Sequence, residues 1–304
     1  MTHTVLMGDP AHFSVVGGAN PHTRDRWGRR KSVDRALAIR QWQRMRELLE
    51  SLGLRVVVVP PDPRWPGLVY PANAGFRHGE RFVLSNLTPT RAGEQPIYRE
   101  VIEALGLPCI SITRRFEGEA DLFPAGKYLI QTHGAIRRQR FVLRWGMPPW
   151  RRIYGFRSDP AALAEIEALG PLHREVLPVQ LIDERYYHGD TCLCSFGRER
   201  EHLLANLRVV EPASAERLRS LFGERLIELG EADSAIYAAN SFAFNRGDEG
   251  TPHLVMPDGI SPTLEAAIRA LGVTVVKADV SEFYKKGGGS VKCMIGDLGE
   301  LEER

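Results

Sequence analysis

The sequence predicts an α/β fold in which five strand–helix–strand units close into a ring, strands toward the centre and helices outside. Three observations carry this reading. The same strand, helix, strand order recurs five times along 304 residues. Glycines 53, 106, 170 and 272 stand where helices must stop. A short polar segment follows the second strand of every unit.

The first unit runs from the strand Thr4–Met7 through an amphipathic helix at Ser32–Leu52 to the strand Leu54–Val59. The second is strand Arg81–Leu84, helix Gly93–Leu105 and strand Leu107–Ile112. In the third, Lys127–Ile130 leads to a helix at Pro160–Leu169, opened by the cap candidate Asp159, and then to Glu175–Val179. The fourth begins with either Cys192–Phe196 or Leu207–Val210, followed by a helix at Ser214–Phe222 and the strand Arg225–Leu229. The fifth is His253–Met256, a helix Ser261–Leu271 with Pro262 in its first turn, and Val273–Val276.

No unit of this kind buries its helix face alone, so the units are expected to form one domain spanning 1–304. An open doubly wound sheet shares the same alternation. The polar segments separate the two folds, because a ring brings them to one axis. They are Val69–Asn73, Phe116–Asp121, Tyr187–Thr191, Ile236–Asn240 and Gly287–Cys293.

Composition narrows the class without naming a function. With 43% hydrophobic and 26% charged residues the chain is globular, and 40 basic against 38 acidic residues leave a formal charge of only +2. No global field draws it to nucleic acid or a membrane, so a small-molecule partner is expected and a homo-oligomer stays open. No leader or apolar run of spanning length is evident, and a cytoplasmic protein is expected. The four cysteines, 109, 192, 194 and 293, are read as reduced thiols. Cys192 and Cys194, one residue apart on a strand, would share a face but lack metal-ligand spacing, so no metal is expected. No phosphate loop follows a strand, so no cofactor is expected either.

Taken together, the polar segments hold a thiol, a histidine, carboxylates that can orient it, and further carboxylates and amides. These are the parts of a nucleophile, a general acid–base and a cation cradle. Gly287-Gly288-Gly289-Ser290-Val291-Lys292-Cys293-Met294 resembles the glycine-rich nucleophile segment of the guanidino-modifying superfamily. His188-Gly189-Asp190-Thr191 resembles its His-x-Asp-Thr element. Glu117-Gly118-Glu119-Ala120-Asp121 resembles its Glu-Gly-x-Gly-Asp element, with Ala120 in place of the second glycine. The superfamily includes arginine deiminases, dimethylarginine dimethylaminohydrolases and amidinotransferases, and the resemblance covers nearly the whole chain.

The resemblance implies a fivefold pseudosymmetric α/β propeller, the pentein fold, and a catalytic set. Cys293 would attack the guanidinium carbon, His188 would protonate the leaving amine and activate water, and Glu117 would hold the imidazole. Asp190 would accept from the guanidinium nitrogens, and a bound cation beside the sulfur would favour thiolate. Arg157 and Arg91 would take the substrate carboxylate. Relatives usually carry a second arginine where Ala92 stands. Asn20 and Asp121 are expected on the substrate as well.

Asn73 departs from the aspartate usual in deiminases and dimethylaminohydrolases. An amide there weakens the preference for a cation and can donate to a urea oxygen, so a ureido product can be held for a second attack. Ala72-Asn73-Ala74-Gly75, with Asn20-Pro21 and Gly155-Phe156-Arg157-Ser158-Asp159, resembles the arginine dihydrolase branch. The leading expectation is a hydrolase of arginine or an arginine derivative. An amidinotransferase shares the residues for attack, and a non-catalytic arginine-binding regulator is a rival of another class. The basic, aromatic insertion at 131–152 has no counterpart in the resemblance; a substrate-covering loop or subunit contact is preferred there to nucleic-acid binding.

Overall fold

The computed structural model describes every residue except 19, 248–249 and 303–304, so the last two positions of the expected 1–304 domain lie outside the described residues. The fold is mixed α/β. Its first helix, Arg35–Ser51, forms because Ala38, Trp42, Met45 and Leu49 fall at helical spacing and are all buried on one face. Asp34 starts it, its Oδ1 accepting from the Leu37 amide at 2.9 Å. Gly53, at φ +87°, ends it, and the Leu54 amide bonds back to the Leu49 carbonyl at 3.1 Å. The helix carries the chain from Thr2–Gly8 to its parallel neighbour Arg55–Val59. Burial of one side chain such as Leu49 contributes about 1.5–3 kcal/mol.

Among the described residues the strands make five three-stranded sheets and one two-stranded ribbon. Every three-stranded sheet has the same plan: a central strand, a parallel partner reached through a helix, and an antiparallel strand on the other side. The antiparallel strand is Gly296–Leu301 beside Thr2–Gly8, and Gly75–His78 beside Arg81–Leu84. It is Leu122–Ala125 beside Tyr128–His133, Leu193–Phe196 beside His202–Ala205, and Phe242–Arg246 beside Thr251–Pro257. The other parallel partners are Cys109–Ser111, Glu175–Gln180, Leu226–Glu228 and Thr274–Ala278.

All five units predicted from the sequence are present. The antiparallel strands of four sheets were not among the expected elements. In the fourth unit neither proposed first strand is the central one. Leu193–Phe196 is the antiparallel edge, and Leu207–Val209 is a single 3-10 turn. The central strand is His202–Ala205; Leu207, Val209 and Val210 are buried in the apolar cluster beside it, with Val210 making only a single bridge to Leu181.

Each of the five apolar clusters draws on two sheets. Leu6, Val59 and Leu298 of the first sheet pack with Phe82 and Leu84 of the second. Phe76 and Val83 meet Leu122 and Leu129 of the third. Ile130 and Leu177 meet Leu193 and Leu203 of the fourth. Phe196 and Leu204 meet Leu254 and Met256 of the fifth. Phe242 and Val255 of the fifth meet Val5 and Met7 of the first.

Cys192 and Cys194 fall in different clusters, not on one face as the strand spacing suggests. Cys192 lies in the turn before the strand, at φ −132° and ψ −11°, where the two-residue period does not apply. The expected insertion begins later than 131, because residues 131–133 complete the central strand Tyr128–His133 of the third sheet; its remainder forms an antiparallel hairpin, Arg140–Leu143 with Trp150–Ile153, outside the five sheets. No helix among the described residues is long and apolar enough to cross a membrane.

Candidate active site

Each polar segment lies where the chain leaves the parallel strand of one sheet and enters the antiparallel strand of the next. Four of them contain a single 3-10 turn: Pro71–Asn73, Gly118–Ala120, Gly189–Thr191 and Lys292–Met294. The fourth segment in chain order turns at Tyr237, at φ +62°. The 3-10 turns touch in succession: first with second, second with third, third with last, and last with first. Asn240 ties in the remaining segment, donating from Nδ2 to the Asp190 carbonyl at 2.9 Å and accepting at Oδ1 from the Ser290 amide at 2.9 Å.

Cys293 is buried where these turns meet. Its Sγ donates to Asp190 Oδ2 at 3.3 Å and receives Asn240 Nδ2 at 3.2 Å. Its amide donates to Asn240 Oδ1 at 3.1 Å. Burial and the Asp190 charge push the thiol well above its ordinary range, while the Asn240 hydrogen bond works the other way. Burial likewise raises the Asp190 carboxyl to about 6, with the His188 charge and the Cys293 hydrogen bond pulling it down. The glycines before Cys293 are required by close approach. A Cβ on Gly289 would lie 2.7 Å from Tyr70 Cε1 and 2.8 Å from Cys293 Cβ, and one on Gly287 would collide with the Tyr70 hydroxyl.

His188 faces two carboxylates. Its Nε2 is 2.8 Å from Glu117 Oε2 and 3.9 Å from Asp121 Oδ2, and all three groups are buried. Burial would raise the Glu117 carboxyl, but the hydrogen bond and charge of His188, with the Arg157 and Arg91 charges, outweigh it and hold the group at about 2. Glu117 Oε1 also accepts from the Thr88 amide at 3.0 Å. The carboxylate is therefore fixed on both oxygens and stays ionised.

A cavity of about 370 Å3 opens onto Glu117, lined by Tyr70, Tyr187, Arg91, Arg157 and Asn20 among others. That volume suits an amino-acid-sized ligand. Arg157 is buried, its Cζ 4.9 Å from the Tyr187 ring centroid. The backbone just before it is held by Glu184, which accepts from the Tyr154 and Gly155 amides at 2.9 and 3.0 Å. Arg91 is held from within: Nε and Nη2 bond Glu94, Nη2 also reaches the Gly67 carbonyl at 2.9 Å, and Nη1 bonds Asn73 Oδ1 at 2.6 Å. Asn20 donates to the Gly287 carbonyl at 2.8 Å and the Tyr187 hydroxyl at 3.1 Å, fastening the segment around 20 over the nucleophile loop.

The structure thus pairs Cys293 with Asp190, His188 with Glu117 and Arg91 with Asn73 on neighbouring turns, with Arg157 and Asn20 in the cavity wall. Asp121 differs from its expected place on the substrate. Its carboxylate accepts from Thr132 Oγ1 at 2.5 Å, Ser158 Oγ at 2.6 Å and the Gly189 amide at 3.0 Å, positioning the residue next to His188 instead. No described residue of 131–152 lines the cavity.

Sequence reasoning named the segment ending in Asn240 but not Asn240 itself. The signal was there, since Asn240 closes the fourth polar segment as Asn73 closes the first. Tyr70, Tyr187 and Glu94, all in the cavity wall, were missed because no spacing rule marks them.

The family description "N,N dimethylarginine dimethylhydrolase, eukaryotic" matches residues 157–299. The chain is 30% identical over 295 residues to the N(G),N(G)-dimethylarginine dimethylaminohydrolase of Mycobacterium tuberculosis, covering 96% of this chain and 84% of that protein. It is 30% identical over 293 residues to the bifunctional arginine dihydrolase/ornithine cyclodeaminase AgrE of Nostoc sp., covering 95% of this chain but 37% of AgrE. Among solved structures, the N-terminal domain of a variant of cyanobacterial ArgZ, covalently bound to a reaction intermediate, matches with a TM-score of 0.80 and 26% identity over 97% of each chain.

Proposed function

The chain belongs to the N(G),N(G)-dimethylarginine dimethylaminohydrolase family of guanidino-modifying enzymes, and from that premise we propose that it hydrolyses a guanidino carbon–nitrogen bond of arginine or an arginine derivative through Cys293. The observation that carries this reading is the Asp190–Cys293–Asn240 contact set, close to the His188–Glu117 pair. A thiol donating to a carboxylate stands where a guanidinium would replace that proton as the carboxylate's partner. The cation then lowers the cost of the thiolate in a buried site.

The Cys293 thiol gives its proton to His188 as its sulfur forms a bond to the guanidinium carbon. A proton from His188 goes to the departing nitrogen as its bond to carbon breaks, leaving an S-alkyl thiouronium. His188 next takes a proton from water, whose oxygen bonds the same carbon while the carbon–sulfur bond breaks. The sum is guanidinium plus water giving a ureido product and an ammonium. With Nε2 facing Glu117, proton transfer falls to Nδ1, and the ionised Glu117 stabilises the imidazolium. Arg157 is assigned the substrate carboxylate; Arg91, already engaged by Glu94 and Asn73, is assigned a share of it and the placing of Asn73.

Asn73 favours a second hydrolytic step. Its Oδ1 is taken by Arg91, while its buried Nδ2 has no hydrogen-bond partner. A donor left free beside the reacting centre suits a urea oxygen better than another guanidinium N–H. On this reading the ureido product is attacked again, as in an arginine dihydrolase.

We read the five sheets as blades of a fivefold propeller in one catalytic domain. The apolar clusters support this reading, since they link first to second, second to third, and so on until fifth meets first.

Arginine, methylated arginines, agmatine and citrulline, each incubated without added amine, test the proposal by ammonia or amine release. Hydrolysis of at least one guanidino compound is expected, abolished by Cys293→Ser. Product formation only when an amine acceptor is supplied would point to amidino transfer instead.

A further inference from the structure

We infer that the hairpin within 131–152, Arg140–Leu143 with Trp150–Ile153 and the loop between them, docks the protein on an anionic phospholipid surface. The near-neutral charge of the whole chain conceals how its charge is distributed. Between residues 131 and 152 there are six arginines and no aspartate or glutamate, so this hairpin holds more net positive charge than the entire protein, which is +2. None of these arginines pairs with a carboxylate among the described residues, although many arginines elsewhere do.

The apolar residues of the hairpin are as unusual as its charge. Leu143 is 90% exposed, Met147 is 77% exposed, and Trp145 is fully exposed. Phe141 and Trp150 continue the exposed surface down the two strands. Isolated exposed apolar residues need no explanation, but a cluster at the tip of a projecting element does. The tip is also built. The Arg144 amide bonds the Pro149 carbonyl at 3.0 Å, Arg144 Nε bonds the Pro148 carbonyl at 3.2 Å, and Arg152 lies with its Cζ 5.6 Å from the Phe141 ring centroid.

An aliphatic and indole tip with arginines behind it matches the layering of a membrane interface. Apolar side chains enter the acyl boundary, the indole sits at headgroup level, and guanidinium groups meet the phosphates. Charge complementarity selects this occupant. A second copy of the hairpin would oppose arginines to arginines, and a nucleic acid has no use for Leu143 and Met147 beside the stacking rings. The hairpin lines none of the substrate cavity, so its surface is separate from the catalytic residues.

The test is flotation of the full chain with vesicles of phosphatidylcholine alone or mixed with phosphatidylserine. Binding to the mixed vesicles only is expected, weakening as salt is raised. Combined Leu143→Ser, Trp145→Ser and Met147→Ser should weaken it more than about tenfold. Arg138→Glu with Arg151→Glu should weaken it by at least about fivefold per arginine removed. Both variants should keep the wild-type thermal midpoint and the wild-type guanidino hydrolysis in solution, which separates loss of docking from loss of fold. The inference would be overturned by no flotation with phosphatidylserine at low salt, flotation unchanged in both variants, or tighter binding to oligothymidylate than to vesicles. Sedimentation showing a dimer that the tip variant dissociates would also overturn it, assigning the surface to a second copy.

Discussion

Asn240 grips Cys293 at two points, accepting from its amide at 3.1 Å and donating to its Sγ at 3.2 Å. The first contact fixes the nucleophile loop, and the second favours the thiolate over a thiol that burial otherwise protects. Asn240→Ala should lower kcat by about 10- to 100-fold, the worth of a hydrogen bond to a charged group at roughly 1.5–3 kcal/mol. It should also lower stability by about 1–3 kcal/mol, because the buried Ser290 and Cys293 amides lose their acceptor. Steady-state rates and the pH dependence of iodoacetamide alkylation check this. Wild-type alkylation in the variant would remove Asn240 from the tuning of the sulfur.

His188 and Glu117 form a single buried unit, and their removal should not be additive. Glu117→Gln keeps the shape but removes the charge that stabilises the imidazolium, so kcat should drop by about 10²–10⁴-fold. Adding His188→Ala should cost little more. The folded Glu117 carboxyl is depressed to about 2 from the ordinary 4.5, so its contribution to stability is full above 4.5 and is lost as pH falls toward 2. Acid unfolding of Glu117→Gln should therefore show a shallower pH dependence below pH 4.5 than wild type. Additive kinetic losses in the double variant would separate the two residues.

Asp190 is displaced in the opposite direction, to about 6. The carboxylate that attracts the guanidinium is thus protonated as pH falls through about 6, and kcat/KM should decline there. The stability sign is the reverse of that for Glu117. A carboxyl whose folded value lies above its unfolded one is relatively stabilising when protonated, and that advantage is lost as pH rises from 3.8 through about 6. Asp190→Asn should therefore be more thermostable than wild type at neutral pH while losing most activity, as read by a thermal melt beside a pH–rate profile. An unchanged melt would mean that the buried charge is offset in the folded protein.

The sequence made the five helices, the parallel strands of every unit but the fourth, whose His202–Ala205 was missed, and the chemistry-bearing segments legible because each is a local pattern: helical spacing at Ala38, Trp42, Met45 and Leu49, a cap at Ser261, a stop at Gly272. Gly75–His78 and Phe242–Arg246 were not legible, since a short edge strand takes its register from its neighbour. The motifs likewise pointed to His188 and Glu117, whose side chains meet at 2.8 Å. They could not reveal that Asp121 turns to Thr132 and Ser158, because those partners come from segments distant in sequence. Asn240 was overlooked for a related reason. An amide has no distinctive chemistry until a thiol is placed against it.

Asn73 provides the sharpest test of how far the reaction runs. Arg91 Nη1 occupies its Oδ1 at 2.6 Å, and Glu94, buried and bonded to the same guanidinium, keeps Arg91 in place. The amide is therefore oriented with Nδ2 as the free donor. Asn73→Asp retains an acceptor for Arg91 and deletes that donor. Conversion of arginine to a ureido product should continue, while consumption of citrulline should fall by at least about tenfold, the cost of losing one hydrogen bond at roughly 1.5 kcal/mol. Chromatography of arginine, citrulline and ornithine over a time course distinguishes the two steps. A wild-type protein that releases citrulline and leaves it untouched would sink the second step, because a donor held this way would then have no ureido oxygen to serve.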